Sequence, residues 1–143
     1  MTPADRQTLA RKLEYLRKQL NLLEEYRQLP KEALLVATEK RLAVERLLEI
    51  SIQSIIDCSR LLITLEDWRG IRDERDALLI LADKGIIKDE LAEKLLKAKG
   101  FRNVLVHEYV EIDPELLASH LRNDVYDLWE FAVALAEFLD KSR

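Results

Sequence analysis

Apolar residues recur along this chain at three- and four-residue steps, the period of helices that bury one face. Leu9, Leu13, Leu16, Leu20 and Leu23 form the first such stripe. Ahead of it, Thr2 is placed to cap, Pro3 suits the first helical position, and Asp5 lies in the acid-favouring first turn. A helix over roughly residues 3–27 is expected. Pro30 opens a second stretch, with Leu34, Ala37, Val44, Leu47, Leu48, Ile55, Cys58 and Leu62 at helical spacing. No Gly or Pro lies between Lys31 and Arg69. That predicts one long helix of about 35 residues, a bundle spine rather than a lone surface helix.

Asp67-Trp68-Arg69-Gly70 breaks the pattern. Asp73 to Asp83 reads as a short third helix that Gly85 is placed to end. Asp89 is positioned to cap a fourth, which turns Leu91, Leu95, Leu96, Phe101, Leu105 and Val106 inward. Gly100 falls inside it, at a point where it can kink. Asp113-Pro114 starts the last helix by the cap-then-proline logic, with Leu117, Leu121, Leu128, Phe131, Leu135 and Phe138 on its inner face. There is no internal repeat, low-complexity tract or linker. The expectation is a single all-α domain over residues 1–143, a bundle of five helices, four of them long.

Composition agrees with this reading. The chain is 48% hydrophobic and 35% charged, with only three Gly and three Pro, which suits an all-helical domain able to bury its own core. The single cysteine, Cys58, excludes an internal disulfide and is expected as a buried thiol. No apolar run follows a basic start, and none approaches the roughly 18 residues of a membrane span, so a cytoplasmic protein without membrane contact is expected. A net charge of −4 argues against a general nucleic-acid coat protein. Locally the balance is reversed: Lys94, Lys97, Lys99 and Arg102 occur with no acid among residues 94–102. The three lysines are candidate RNA contacts; a solvated helix face is the alternative.

That basic segment leads into Arg102-Asn103-Val104-Leu105-Val106-His107-Glu108-Tyr109. Arginine grips phosphate through a planar fork of donors, and histidine exchanges protons near neutral pH. Together they suggest phosphodiester chemistry without a metal. His107 would move a proton, Arg102 would neutralise charge on phosphoryl oxygens, and Asn103 would orient His107 or hold the sugar or phosphate. Spacing qualifies this. Successive helical residues turn by about 100°, so Arg102 and His107 point about 140° apart. The helix ends near His107, or the long arginine reaches around, or two copies of the chain share one cleft; a combination of the last two is expected. A purely structural reading also exists: Arg102 pairs with an acid such as Glu108, His107 complements its helix dipole, and Tyr109 packs in the core.

Beyond spacing, Phe101 to Tyr109 followed by Ile112-Asp113 resembles the signature of the HEPN superfamily, and within it the HepT-like toxins. The family pattern of Arg, four residues, His, one residue, Tyr is met without a gap. Chain length, helix order and the short Gly85-Ile86-Ile87 connection are similar as well. The resemblance implies a HEPN-type up-and-down bundle that forms a homodimer. It implies the toxin of a type VII toxin–antitoxin pair, a metal-independent endoribonuclease with Arg102 and His107 as its catalytic pair. It also implies a minimal nucleotidyltransferase antitoxin as partner, which uses ATP to transfer AMP to Tyr109. No cofactor of its own is expected.

Asp57, an acid in an apolar run, either faces the cleft and pairs with Arg102 or reaches solvent. Trp68 and Trp129 read as core or interface aromatics. His120 reads as a surface or packing histidine without a carboxylate at ligand spacing. No Gly-rich phosphate loop, metal cluster or nucleophile elbow is present. A second class of function fits the same residues: a non-catalytic helical module that binds a nucleotidyltransferase or a nucleotide. RNA cutting by the purified chain separates the two.

Overall fold

The computed structural model describes residues 1–107 and 111–142. They form six helices: α1 (Pro3–Arg27), α2 (Lys31–Val36), α3 (Thr38–Leu65), α4 (Glu74–Asp83), α5 (Asp89–His107) and α6 (Pro114–Lys141). There is no strand among the described residues. The fold class is the all-α one expected.

Local chemistry accounts for most of the boundaries. Thr2 and Asp5 form a reciprocal capping box at the start of α1, with Pro3 in its first turn. Asp73 caps α4 by accepting from the Asp76 amide at 3.0 Å. Asp113 does the same for α6 toward the Glu115 amide, with Pro114 next in line. Gly85, at φ +75°, closes α4 in the left-handed region expected of it. Asp89, expected as a cap, is instead the first helical residue of α5, and α5 runs through Gly100 as unbroken helix.

The predicted long second helix is the main correction. It breaks at Ala37, whose backbone is extended (φ −109°, ψ 99°), leaving the one-and-a-half-turn α2 ahead of α3. Nothing in the local sequence demands the break. It is held by tertiary partners: Leu34 is buried, α2 packs on α3 and α6, and the Arg41 guanidinium donates to the carbonyls of Leu34 (3.0 Å) and Leu35 (2.8 Å). Those carbonyls would otherwise end α2 without partners.

α3 is nonetheless the spine, since it alone packs against all five other helices of the described residues. The α1 leucines predicted to face inward are all buried, as are Val44, Leu48, Ile55, Cys58 and Leu62 of α3 and Leu117, Leu121, Leu128, Phe131 and Leu135 of α6. Burial of each such side chain contributes roughly 1.5–3 kcal/mol. Leu105 is only half-buried and Val106 is exposed at 44%, so the inward face of α5 fades over its last turn. Trp68 and Trp129 lie half-buried against the core, with the Lys84 ammonium 5.4 Å from the Trp68 ring.

Candidate functional site

Arg102 sits on the inner face of α5 and is only 8% exposed. One guanidinium nitrogen donates to Gln53 of α3, and another donates to the Glu74 carboxylate of α4 at 2.8 Å. Glu74 is the residue directly after the Asp73 cap, so the start of α4 fixes where this acid stands. Arg102 Nε is buried without a partner among the described residues. The guanidinium is thus held in one direction from two helices, with its Nε shielded from solvent.

Gln53 links Arg102 to a further acid. Its amide donates to Asp57 one turn along α3, at 2.9 Å. Asp57 is exposed and lines the cleft, but it does not pair with Arg102, whose acid partner is Glu74. Neither Gln53 nor Glu74 stood out in the sequence. They lie 49 and 28 residues before Arg102, and contacts across such separations leave no periodic trace.

A cleft of about 320 Å³ opens beside this cluster, with Arg102 and Val106 on one wall and Tyr15, Gln53 and Asp57 on others. A smaller hollow of about 120 Å³ continues it past Tyr15 and Asp57 toward Lys12 and Cys58. Burial pushes the Cys58 thiol up to about 12, with Asp57 adding and Lys12 opposing. It is thus a protonated thiol near neutrality and not a nucleophile of the cleft.

His107 is the last helical residue of α5 and is exposed. It does not line the Arg102 cleft. Five residues and about 140° of helix separate it from Arg102, as spacing required. The residues that follow it, 108–110, lie outside the described residues. Asn103 is half-buried and makes no hydrogen bond among the described residues, so nothing there ties it to His107. Tyr109 and Glu108 lie outside the described residues. The structural reading of Arg102 holds to this extent: it does pair with an acid, though with Glu74.

The three lysines part company. Lys94 and Lys97 are exposed and line a separate groove between α5 and α6. Lys99 is half-buried and stands outside it. His120 stacks flat on Phe101, with ring centroids 3.7 Å apart, and its Nδ1 meets Asp124 at 2.8 Å. It is a packing histidine as read, but the carboxylate four residues on was there to be noticed. Among the described residues no group of three or more His, Cys, Asp or Glu is placed to hold a metal ion, and no helix is long and apolar enough to cross a membrane.

Comparison with known proteins bears on this site. The chain is 37% identical over 92 residues to a protein of Archaeoglobus fulgidus, covering 64% of this chain and 68% of that one. It is 30% identical over 115 residues to the tRNA nuclease HepT of Aphanizomenon flos-aquae, covering 80% and 78%. Its fold matches a tri-AMPylated HEPN toxin of Shewanella oneidensis, solved in complex with MNT antitoxin, at a TM-score of 0.82 and 17% identity over 96% of this chain and 99% of that one. The family model for ribonuclease HepT-like proteins matches residues 16–135, which include the helix carrying Arg102 and His107. The chain belongs to the HepT-like ribonuclease family.

Proposed function

We propose that this chain is the toxin of a toxin–antitoxin pair, a cytoplasmic endoribonuclease that cuts RNA without a metal. The observation that supports the reading is the state of Arg102: a buried guanidinium, pinned by Glu74 and Gln53, on the wall of an open cleft. An RNA 2′-hydroxyl stands next to its own phosphorus, which removes much of the entropic cost of attack. Its oxygen bonds to that phosphorus, the bond to the 5′-oxygen breaks, and the products end in a 2′,3′-cyclic phosphate and a 5′-hydroxyl. His107 accepts the 2′ proton or donates one to the leaving oxygen, while Arg102 offsets charge on the phosphoryl oxygens.

One copy aims these two side chains apart. A homodimer resolves this, because a two-fold axis brings the same patch of both copies together and lets Arg102 of one and His107 of the other flank one link. Exposed Val104 (37%) and Val106 (44%) beside the motif support such a contact. Regulation in this reading comes from a minimal nucleotidyltransferase antitoxin. The Tyr109 oxygen attacks the α-phosphorus of ATP, pyrophosphate leaves, and the bulky anion blocks RNA.

A second reading keeps the partner and drops the catalysis. It is favoured by the Arg102–Glu74 ion pair, which already occupies part of the guanidinium. Incubation of purified protein with RNA in a chelator distinguishes them. Cutting that persists, leaves cyclic phosphate ends and disappears in folded His107→Ala supports the enzyme. Intact RNA, or cutting at the normal rate by His107→Ala, sinks the assigned roles. Co-production with the antitoxin should add AMP mass at Tyr109 and at no other residue.

A further inference from the structure

The flank of α5 away from the Arg102 cleft carries a larger groove, of about 490 Å³. Four cations line it: Arg27 at the end of α1, Lys94 and Lys97 on α5, and Arg122 on α6. No residue lines both this groove and the Arg102 cleft. The cations come from three helices, so the fold rather than the local sequence gathers them.

Acids lie among them, and the cations that stay unpaired are on the exposed side. Arg27 is held by Glu24 at 2.8 Å. Asp124 lines the groove and meets His120 Nδ1 at 2.8 Å. Asp127 is buried beside Lys94; burial pushes its carboxyl up, Lys94 opposes the shift, and Asp124 and Glu130 add to it. Lys97 and Arg122 are exposed and have no ion-pair partner among the described residues. At Lys97 and Arg122 the rim is therefore cationic, on a chain whose net charge is −4. Tyr126, one turn after Arg122, stands 61% exposed at the same groove. An aromatic face next to unpaired cations is the combination that holds single-stranded nucleic acid: the cations take phosphates, and the ring takes a base. An acidic peptide would use the charges but gain less from the ring.

Position adds a constraint. Lys97 lies ten residues before His107 on α5, about 15 Å along the helix axis. A strand seated in the groove and following the outer side of α5 reaches His107 within a few nucleotides.

We propose that this α5–α6 groove is an RNA-binding subsite for single-stranded sugar–phosphate backbone flanking the cut, with one base on Tyr126; this rests on the ribonuclease reading. The test uses a fluorescent 2′-O-methyl oligoadenylate, which lacks the attacking hydroxyl, and reads anisotropy against salt, beside cutting of unmodified RNA. The Lys97→Glu/Arg122→Glu protein should bind the probe about tenfold or more weaker, with a salt slope smaller by about 2. Tyr126→Ala should weaken binding roughly tenfold with the slope unchanged. Variants that bind like wild type, while wild type cuts RNA, overturn the groove and leave the ribonuclease reading standing. Wild type that neither binds nor cuts removes both. Variants that bind RNA normally but no longer capture the antitoxin overturn the proposal in favour of a protein-docking face.

Discussion

Arg102 and His107 stand five residues apart on one helix, yet they live in opposite environments. The arginine is 8% exposed and held from two other helices. The histidine, the last described residue of α5, is exposed. A guanidinium has a strong charge and many donors, so its use depends on fixed direction, and the bundle supplies that. An imidazole that must gain and lose a proton needs access to its partner, which a buried position would deny. In the proposed mechanism the difference gives the two residues different tasks: Arg102 would serve the scaffold as well as the site, and His107 the site alone.

The sharpest way to break this contrast is to truncate each residue and measure two things. Arg102→Ala and His107→Ala should both lower RNA cutting by at least about a hundredfold. Their melts should differ. Removing Arg102 leaves Glu74 and Gln53 without their shared partner in a half-buried place, at a cost on the order of 1–3 kcal/mol. Removing exposed His107 should change stability by no more than about 0.5 kcal/mol. Parallel urea unfolding checks this. Equal losses of stability would mean that the two environments do not differ in kind.

The parts of this molecule that were legible in its sequence are those made locally. The Thr2–Asp5 and Asp113–Pro114 starts, the leucine stripes of α1 and α6, and the left-handed Gly85 were all readable, because caps and periodicity act within a turn or two. The break at Ala37 was not. Its residues favour helix, and the deciding contacts are the Arg41 guanidinium and the burial of Leu34 against other helices. The site divides the same way. The spacing of Arg102 and His107 on one helix carried their divergence, whereas Glu74 and Gln53 became neighbours only through packing. The His120–Asp124 pair is a different case, since its four-residue step was present in the sequence.

A finer probe asks how firmly the scaffold must hold Arg102. Glu74→Gln keeps an acceptor and removes the charge. The guanidinium would be less firmly directed but would present more net positive charge to phosphate. We expect kcat to fall roughly tenfold, with KM no higher than in the parent protein. Stability should fall by about 1 kcal/mol, because a charged hydrogen bond becomes a neutral one. A raised KM with unchanged kcat would show Glu74 acting on substrate binding and not on the direction of Arg102.

The smallest expected effect lies one step further out, at Asp57. Gln53 presents its carbonyl oxygen to Arg102 and its amide nitrogen to Asp57. The carboxylate therefore determines which end of a nearly symmetric side chain faces the guanidinium. Without it the amide is free to turn, and the turned state sets donor against donor. Water can replace the exposed Asp57, so Asp57→Ala should cost less than about 0.5 kcal/mol of stability. Cutting should drop only about two- to threefold, the share of time Gln53 spends misdirected. Combination with Gln53→Ala identifies the route, because residues acting through one network do not add. Once Gln53 is gone, Asp57→Ala should change nothing more. Combined with a partial variant such as His107→Gln, its loss should multiply in full, since the histidine stands outside that network. A fully multiplicative loss in the Gln53→Ala background would mean that Asp57 reaches the reaction by its own path through the cleft.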